Sequence, residues 1–315
     1  MKNILIVGGS GYIGGALTDL IIGSSKYNVR IYDNLLFEDC FLKPVNFVFG
    51  DVRDQETLKP HLKWADVVVW LAAIVGDGAC QVNPKITFDV NQKAVEFLSN
   101  NFDGRIVYMS TCSVYGAMDG ILTENSKTNP LSIYASTKLD SEKFLDNKNA
   151  ITFRLGTLCG KGDNYSRVRM DLVLNIMVAR ALNQKQISVF GGDQYRPLLD
   201  VKDVAHAIYD NLETKPTGIY NLANQNFKIL DLALKIQEIL GDSITIEYTE
   251  KKFEDLRNYR VSAEKAKKDL EFKPKFSLES SIKEIADLFY TGRVRFFDNK
   301  RFNNHLFLES QNRYE

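Results

Sequence analysis

The chain has 315 residues, 40 Lys and Arg against 40 Asp and Glu, and 44% hydrophobic side chains. That length allows one large domain or two modest ones, and the composition is that of an ordinary globular protein. Zero formal charge gives neither nucleic acid nor an anionic membrane a hold, so neither is expected as a partner.

In chain order, short β-branched runs at 3–7, 29–32, 46–49, 67–71, 105–109 and 150–154 predict strands. Helical patterns at 13–22, 85–99 and 134–146 fall between them. Strands that read as continuous apolar runs, separated by helices, predict a parallel sheet covered on both faces. Two later strands are expected at 187–190 and 218–222, with helical patterns at 208–211 and 229–240. The expected fold class is α/β, a doubly wound parallel sheet with a smaller C-terminal α+β substrate-binding domain. The large domain takes residues 1–155, with 196–223 returning to it. The smaller takes 156–195 and 224–290, leaving 291–315 as a tail of aromatics and charges without clear period.

The apolar run 4–7 stops at glycines and is too short for a signal peptide, and 67–75 is too short to span a membrane. Cys40, Cys80, Cys112 and Cys159 stand far apart, with no CxxC and no neighbouring histidine. Neither a metal site nor a disulfide framework is expected, and a reducing cytoplasm is the simplest location.

The first strand runs directly into Gly8-Gly9-Ser10-Gly11-Tyr12-Ile13-Gly14 and then a helical pattern. That order is what a dinucleotide-binding turn requires. The first glycines let the backbone approach phosphate, and Gly14 lets the helix pack close to the strand. The helix start, with Tyr12 and Ile13, offers N–H groups to a pyrophosphate. Asp33 ends the second strand, nineteen positions after Gly14. A carboxylate there accepts from ribose hydroxyls and repels a 2′-phosphate, so NAD is expected rather than NADP. Asp51 and Val52, after the third strand, are expected beside the adenine.

Tyr134-Ala-Ser-Thr-Lys138 opens the helix at 134–146, which puts the phenol and the ammonium one turn apart on one face. The ammonium is expected to lower the phenol's pKa. The same spacing recurs at Tyr248 and Lys252, in the second half, where no role is assigned. Ser110-Thr111-Cys112-Ser113 follows the strand at 105–109, at the end of a parallel strand where ligands bind. Position alone does not choose among its hydroxyls.

Taken together, the glycine turn, Asp33-Asn34-Leu35, Leu71-Ala72-Ala73, Asn91, the 110–116 segment and Tyr134–Lys138 occur in the order of the extended short-chain dehydrogenases/reductases. The chain resembles an NAD-dependent epimerase/dehydratase acting on nucleotide sugars, with a Rossmann fold. The resemblance covers roughly residues 1–290. It implies Tyr134 as base, Thr111 as its helper, Lys138 on the nicotinamide ribose and Asn91 as support. Asn34, Leu71, Ala72 and Ala73 join the cofactor contacts. It also implies a homodimer through the helices at 85–99 and 134–146.

On the substrate side the resemblance points to Thr111, Cys112 and Ser113, to Asn175, and to Arg196 and Arg257 as diphosphate ligands. Dehydratases of this family carry Asp-Glu where this chain has Cys112 and Ser113, which disfavours elimination of water. Hydride transfer at sugar C4 with epimerisation is expected. The run 166–175 and the run 71–77 also resemble a branch that oxidises GDP-linked heptoses at C4 without epimerising them. A 4-keto-sugar reductase, and a non-catalytic NAD-binding regulator, are the remaining alternatives. Cys112 is a candidate extra acid or base.

Overall fold

The computed structural model describes residues 1–249 and 258–311. Seven strands form one sheet: β1 Lys2–Val7, β2 Tyr27–Asp33, β3 Asn46–Phe49, β4 Val67–Trp70, β5 Arg105–Thr111, β6 Ala150–Leu155 and β7 Gly218–Leu222. They lie in the order β7-β6-β5-β4-β1-β2-β3, and every pair is parallel. The chain travels outward from β1 to β3, then crosses to β4 on the other side of β1. The crevice beyond the carboxyl ends of β1 and β4 is therefore the switch point where ligands bind.

Alternation along each strand feeds two apolar layers. Ile4, Ile6, Ile31 and Val69 face the helices Tyr12–Ser24 and Val201–Asp210, whose Leu17 and Val204 complete that layer. Leu5, Val7, Tyr32 and Trp70 face the helices Gln55–Trp64 and Ala94–Asn101 through Leu58 and Leu98. Since the four central strands are covered on both faces, they read as unbroken apolar runs.

A smaller layer sits on the carboxyl side. Thr157–Cys159, Tyr195–Asp200 and Gln225–Lys228 make a three-stranded sheet, and Gln186–Phe190 pairs with Thr245–Thr249. Its core joins Leu174, Val178, Ile187, Leu232, Ile236 and Ile282.

Predicted strands agree with those observed to within two residues, and 46–49 and 218–222 match at both ends. Other expectations need correction. The helix expected over 85–99 is broken. Pro84–Phe88 starts a new helix capped by Asn83, whose Oδ1 accepts the Ile86 N–H at 3.0 Å. A π-turn over Asp89–Lys93 then interrupts it before Ala94–Asn101. Residues 196–200 belong to the small sheet, and the return to the large domain begins at the helix Val201–Asp210. Ala266 and Phe272 belong to the large core, so the segment 224–290 is shared between the two. The tail is ordered into a helix, Asn304–Ser310, packed on the helix Asp77–Val82. No helix among the described residues is long and apolar enough to cross a membrane, and the four cysteines are free thiols.

Candidate active site

The glycine turn is built by close approach. Gly8 has φ +82°, and a Cβ there would lie 2.4 Å from the backbone nitrogen of Ala72. A side chain would push β1 away from the segment after β4. Gly14 is equally confined, 2.5 Å from the Gly9 carbonyl oxygen by the same measure. Gly11 differs: a Cβ there would meet only the Gly8 oxygen, at 3.4 Å. Gly11 is also the N-cap of the helix Tyr12–Ser24, and no side chain caps that end. Its first-turn N–H groups are left for an anion. An open backbone cradle and an uncapped helix start fit a dinucleotide pyrophosphate.

Asp33 ties the turn to β2. Its Oδ2 accepts the Ser10 N–H at 3.0 Å and its Oδ1 the Leu35 N–H at 2.8 Å. Burial pushes this carboxyl above its ordinary range, and those backbone N–H groups counter the shift. A carboxylate has about four acceptor sites, so room remains for a ribose diol. Asp51 is held by Arg53 and by Asn34, whose Nδ2 donates to it at 3.1 Å. Burial raises its pKa, but the bonds and charge of Arg53 outweigh that and leave it below the usual range.

These residues line one cavity of about 920 Å³, together with Val52, Leu71, Ala72, Ala73, Tyr12 and Ile13. That volume lies near the top of the ~300–1,000 Å³ spanned by small-molecule sites. Thr111, Ser113, Tyr134, Lys138 and Arg196 line the same cavity. Ser132 caps the helix Ile133–Leu145, its oxygen accepting the Ala135 N–H at 3.2 Å. Tyr134 and Lys138 then fall one turn apart. The Lys138 amine donates to the Met109 carbonyl at 2.8 Å and lies 4.8 Å from the Tyr108 ring centre. Burial brings its pKa down to about 8, against the opposing influence of Cys80 and Glu142.

Burial raises the Tyr134 phenol well above its ordinary value. Cys80 and Asp77 push the same way, while Thr111 and Arg169 pull it down. Arg169 is thus a cation that acts on the phenol, where the spacing alone suggested Lys138. Arg169 is held by Asp171 through bonds of 2.6 and 3.0 Å.

Three predicted residues are not on the cavity wall. Asn91, 1% exposed, spends its amide on Ile74, accepting the N–H at 2.8 Å and donating to the carbonyl at 2.9 Å. It shapes the loop after β4 from behind. Asn175 likewise bonds the Gly160 N–H and carbonyl and the Arg169 carbonyl. It fixes the loop that carries Arg169 and does not line the cavity. Cys112 is fully buried, and its thiol donates to the Arg154 carbonyl at 3.2 Å. Burial raises its pKa and its side chain does not line the cavity, which goes against the substrate contact and the acid or base role expected of it. Arg257 lies outside the described residues. Arg169, Arg180, Asp77 and His305 are cavity residues that the motifs missed. Asn303 preceding an apolar segment was a readable N-cap signal for the last helix.

The family comparison accords with this site. Residues 4–223 match the model of the NAD dependent epimerase/dehydratase family. The chain belongs to that family, so it is an enzyme whose cofactor is NAD. It is 28% identical over 313 residues to an uncharacterized UDP-glucose epimerase of Bacillus subtilis, covering 90% of this chain and 97% of that one. It is 27% identical over 310 residues to a UDP-glucose 4-epimerase of Streptococcus mutans, covering 87% and 92%. Among solved structures, the UDP-glucuronic acid 4-epimerase of Bacillus cereus, in complex with UDP-glucuronic acid and NAD, superimposes with TM-score 0.78 at 24% identity. That match covers 92% of this chain and 99% of that one.

Proposed function

We propose that the protein oxidises a nucleotide-linked sugar at C4 and returns the hydride to give the C4 epimer. The observation that carries this reading is the convergence of Thr111, Tyr134 and Lys138 on the cavity that begins at the glycine turn. NAD, when bound, accepts the hydride and brings a positive charge. Tyr134 takes the proton of the sugar hydroxyl, with Thr111 holding that hydroxyl toward it. Lys138, oriented by the Met109 carbonyl, binds the nicotinamide ribose. Arg196 and Arg180, on the smaller-domain wall, suit the substrate diphosphate. Holding the distant nucleotide positions the sugar for reaction. A homodimer is part of this reading, and sedimentation tests it.

A second reading, a nucleotide-sugar 4-dehydrogenase acting on a GDP-heptose-like substrate, draws support from the loop at 166–175. The charge of its Arg169 lowers the pKa of the Tyr134 phenol. The two readings differ in product: an epimer in the first, a 4-keto sugar in the second.

Mass spectrometry of the protein as isolated should identify bound NAD(H) and a nucleotide sugar. Tyr134→Phe should retain the cofactor and lose nearly all turnover. Undiminished turnover in that variant would sink the mechanism.

A further inference from the structure

The segment 300–310 is fastened to several separate parts of the cavity wall. Arg301 pairs with Asp39 at 2.5 Å and Glu38 at 3.4 Å, in the loop after β2. The Phe307 ring lies 5.4 Å from Phe37 of that same loop, and the Arg167 guanidinium lies 4.2 Å from the Phe37 ring. Asn304 is 3% exposed, with its backbone N–H and both polar atoms of its side chain engaged. Its N–H donates to Asp171 Oδ2 at 3.0 Å, its Oδ1 accepts from Arg167, and its Nδ2 donates to the Val75 carbonyl at 2.9 Å. The last helix then packs on Asp77–Val82. There a Cβ on Gly78 would lie 3.1 Å from the His305 ring.

Asn303, Asn304 and His305 are themselves wall residues of the cavity. The segment therefore bridges the loop after β2, beside Asp33, to the loop after β4. It also holds Asp171, the partner of Arg169. Asn91 clamps the β4 loop through Ile74 from one side, and Asn304 holds it through Val75 from the other.

We propose that this C-terminal segment is a strap over the dinucleotide and that Asn304 is its positioning residue. NAD(H) enters and leaves only when the strap lifts. The inference rests on the cavity holding NAD and is independent of the sugar and its chemistry.

The test uses NADH fluorescence with the full chain and no sugar. NADH is mixed in to measure association, and excess ADP-ribose displaces it to measure dissociation. A strap slows passage in both directions, so Asn304→Ala should raise both rates, dissociation by tenfold or more. Arg301→Ala should raise both severalfold. Its side chain is 38% exposed, so that variant keeps its fold and carries the prediction even if Asn304→Ala does not. Adding Asp39→Asn to Arg301→Ala should give little further increase, because the Asp39 carboxylate loses its partner in Arg301→Ala already. Unchanged rates in both single variants would overturn the proposal. So would faster dissociation at unchanged association, which would make the segment a contact surface and not a strap.

Discussion

The Ser132 hydroxyl donates to Asp77 Oδ1 at 2.6 Å while its oxygen caps the helix that carries Tyr134. One side chain thus sets both the start of the helix that carries Tyr134 and the position of a carboxylate that raises the pKa of that phenol. Asp77 raises the Tyr134 pKa and Arg169 lowers it. Removing the negative charge must stabilise the phenolate, and removing the positive charge must destabilise it. Asp77→Asn should therefore move the rising limb of the kcat/KM profile to lower pH, and Arg169→Gln should move it to higher pH. Shifts in the opposite directions would show that the limb does not report Tyr134.

Gly8 and Gly11 make different predictions although both belong to the same turn. Gly8→Ala combines a positive φ with a Cβ 2.4 Å from the backbone after β4, and it should destabilise the fold. Gly11 has φ −79°, which any residue adopts. Gly11→Ala should fold with a thermal midpoint within a few degrees of wild type, yet bind NADH at least tenfold more weakly, because its methyl stands in the cradle. Calorimetry and a fluorescence titration separate the two effects.

Asp33→Ala removes the acceptor for the Ser10 and Leu35 N–H groups and, on the proposed reading, the acceptor for the adenosine ribose. Hydrogen bonds to a charged group are worth about 1.5–3 kcal/mol, so NADH affinity should fall by at least tenfold. The preference for NADH over NADPH should narrow at the same time, because the repelling charge is gone. Titration of both cofactors against wild type and variant measures this.

Burial holds Lys138 near a pKa of about 8, against about 10.4 in the unfolded chain. Between these values the unfolded chain binds the extra proton, so this residue makes wild-type stability rise with pH across that window. Below it, the buried ammonium costs stability. Lys138→Met should abolish turnover yet stabilise the chain at pH 7 by roughly 2 kcal/mol, allowing for the lost bond to the Met109 carbonyl. The difference should shrink as pH rises from 8 toward 10. Urea unfolding at several pH values checks it.

The frame of the molecule was legible because β1 and β4 are buried on both faces, which forces continuous apolar runs. The glycine turn was legible because backbone contact at Gly8 and Gly14 excludes other residues. Side-chain direction was not. Asn91, Cys112 and Asn175 stand close to where the motifs put them, but each turns to satisfy neighbouring backbone groups. Nothing in their local sequence encodes that choice. The π-turn at 89–93 leaves no compositional mark. The charge of Arg169 acts on Tyr134 from a loop 35 positions away, and Asp171, itself bonded by Asn304, holds that arginine. Such an influence exists only after the chain has folded.

The most direct test of the central claim follows the hydrogen at sugar C4. The protein is incubated with UDP-glucose, UDP-glucuronic acid or a GDP-linked heptose carrying deuterium at C4, quenched in the first turnovers, and both sugar and cofactor are analysed by mass spectrometry. With at least one of these, wild type should give an epimer that keeps its deuterium at C4 and deuterium on the reduced nicotinamide of the quenched enzyme, and Tyr134→Phe should give neither. An epimer that has exchanged its C4 deuterium for solvent hydrogen, or equal conversion in Tyr134→Phe, would contradict C4 hydride transfer driven by this tyrosine.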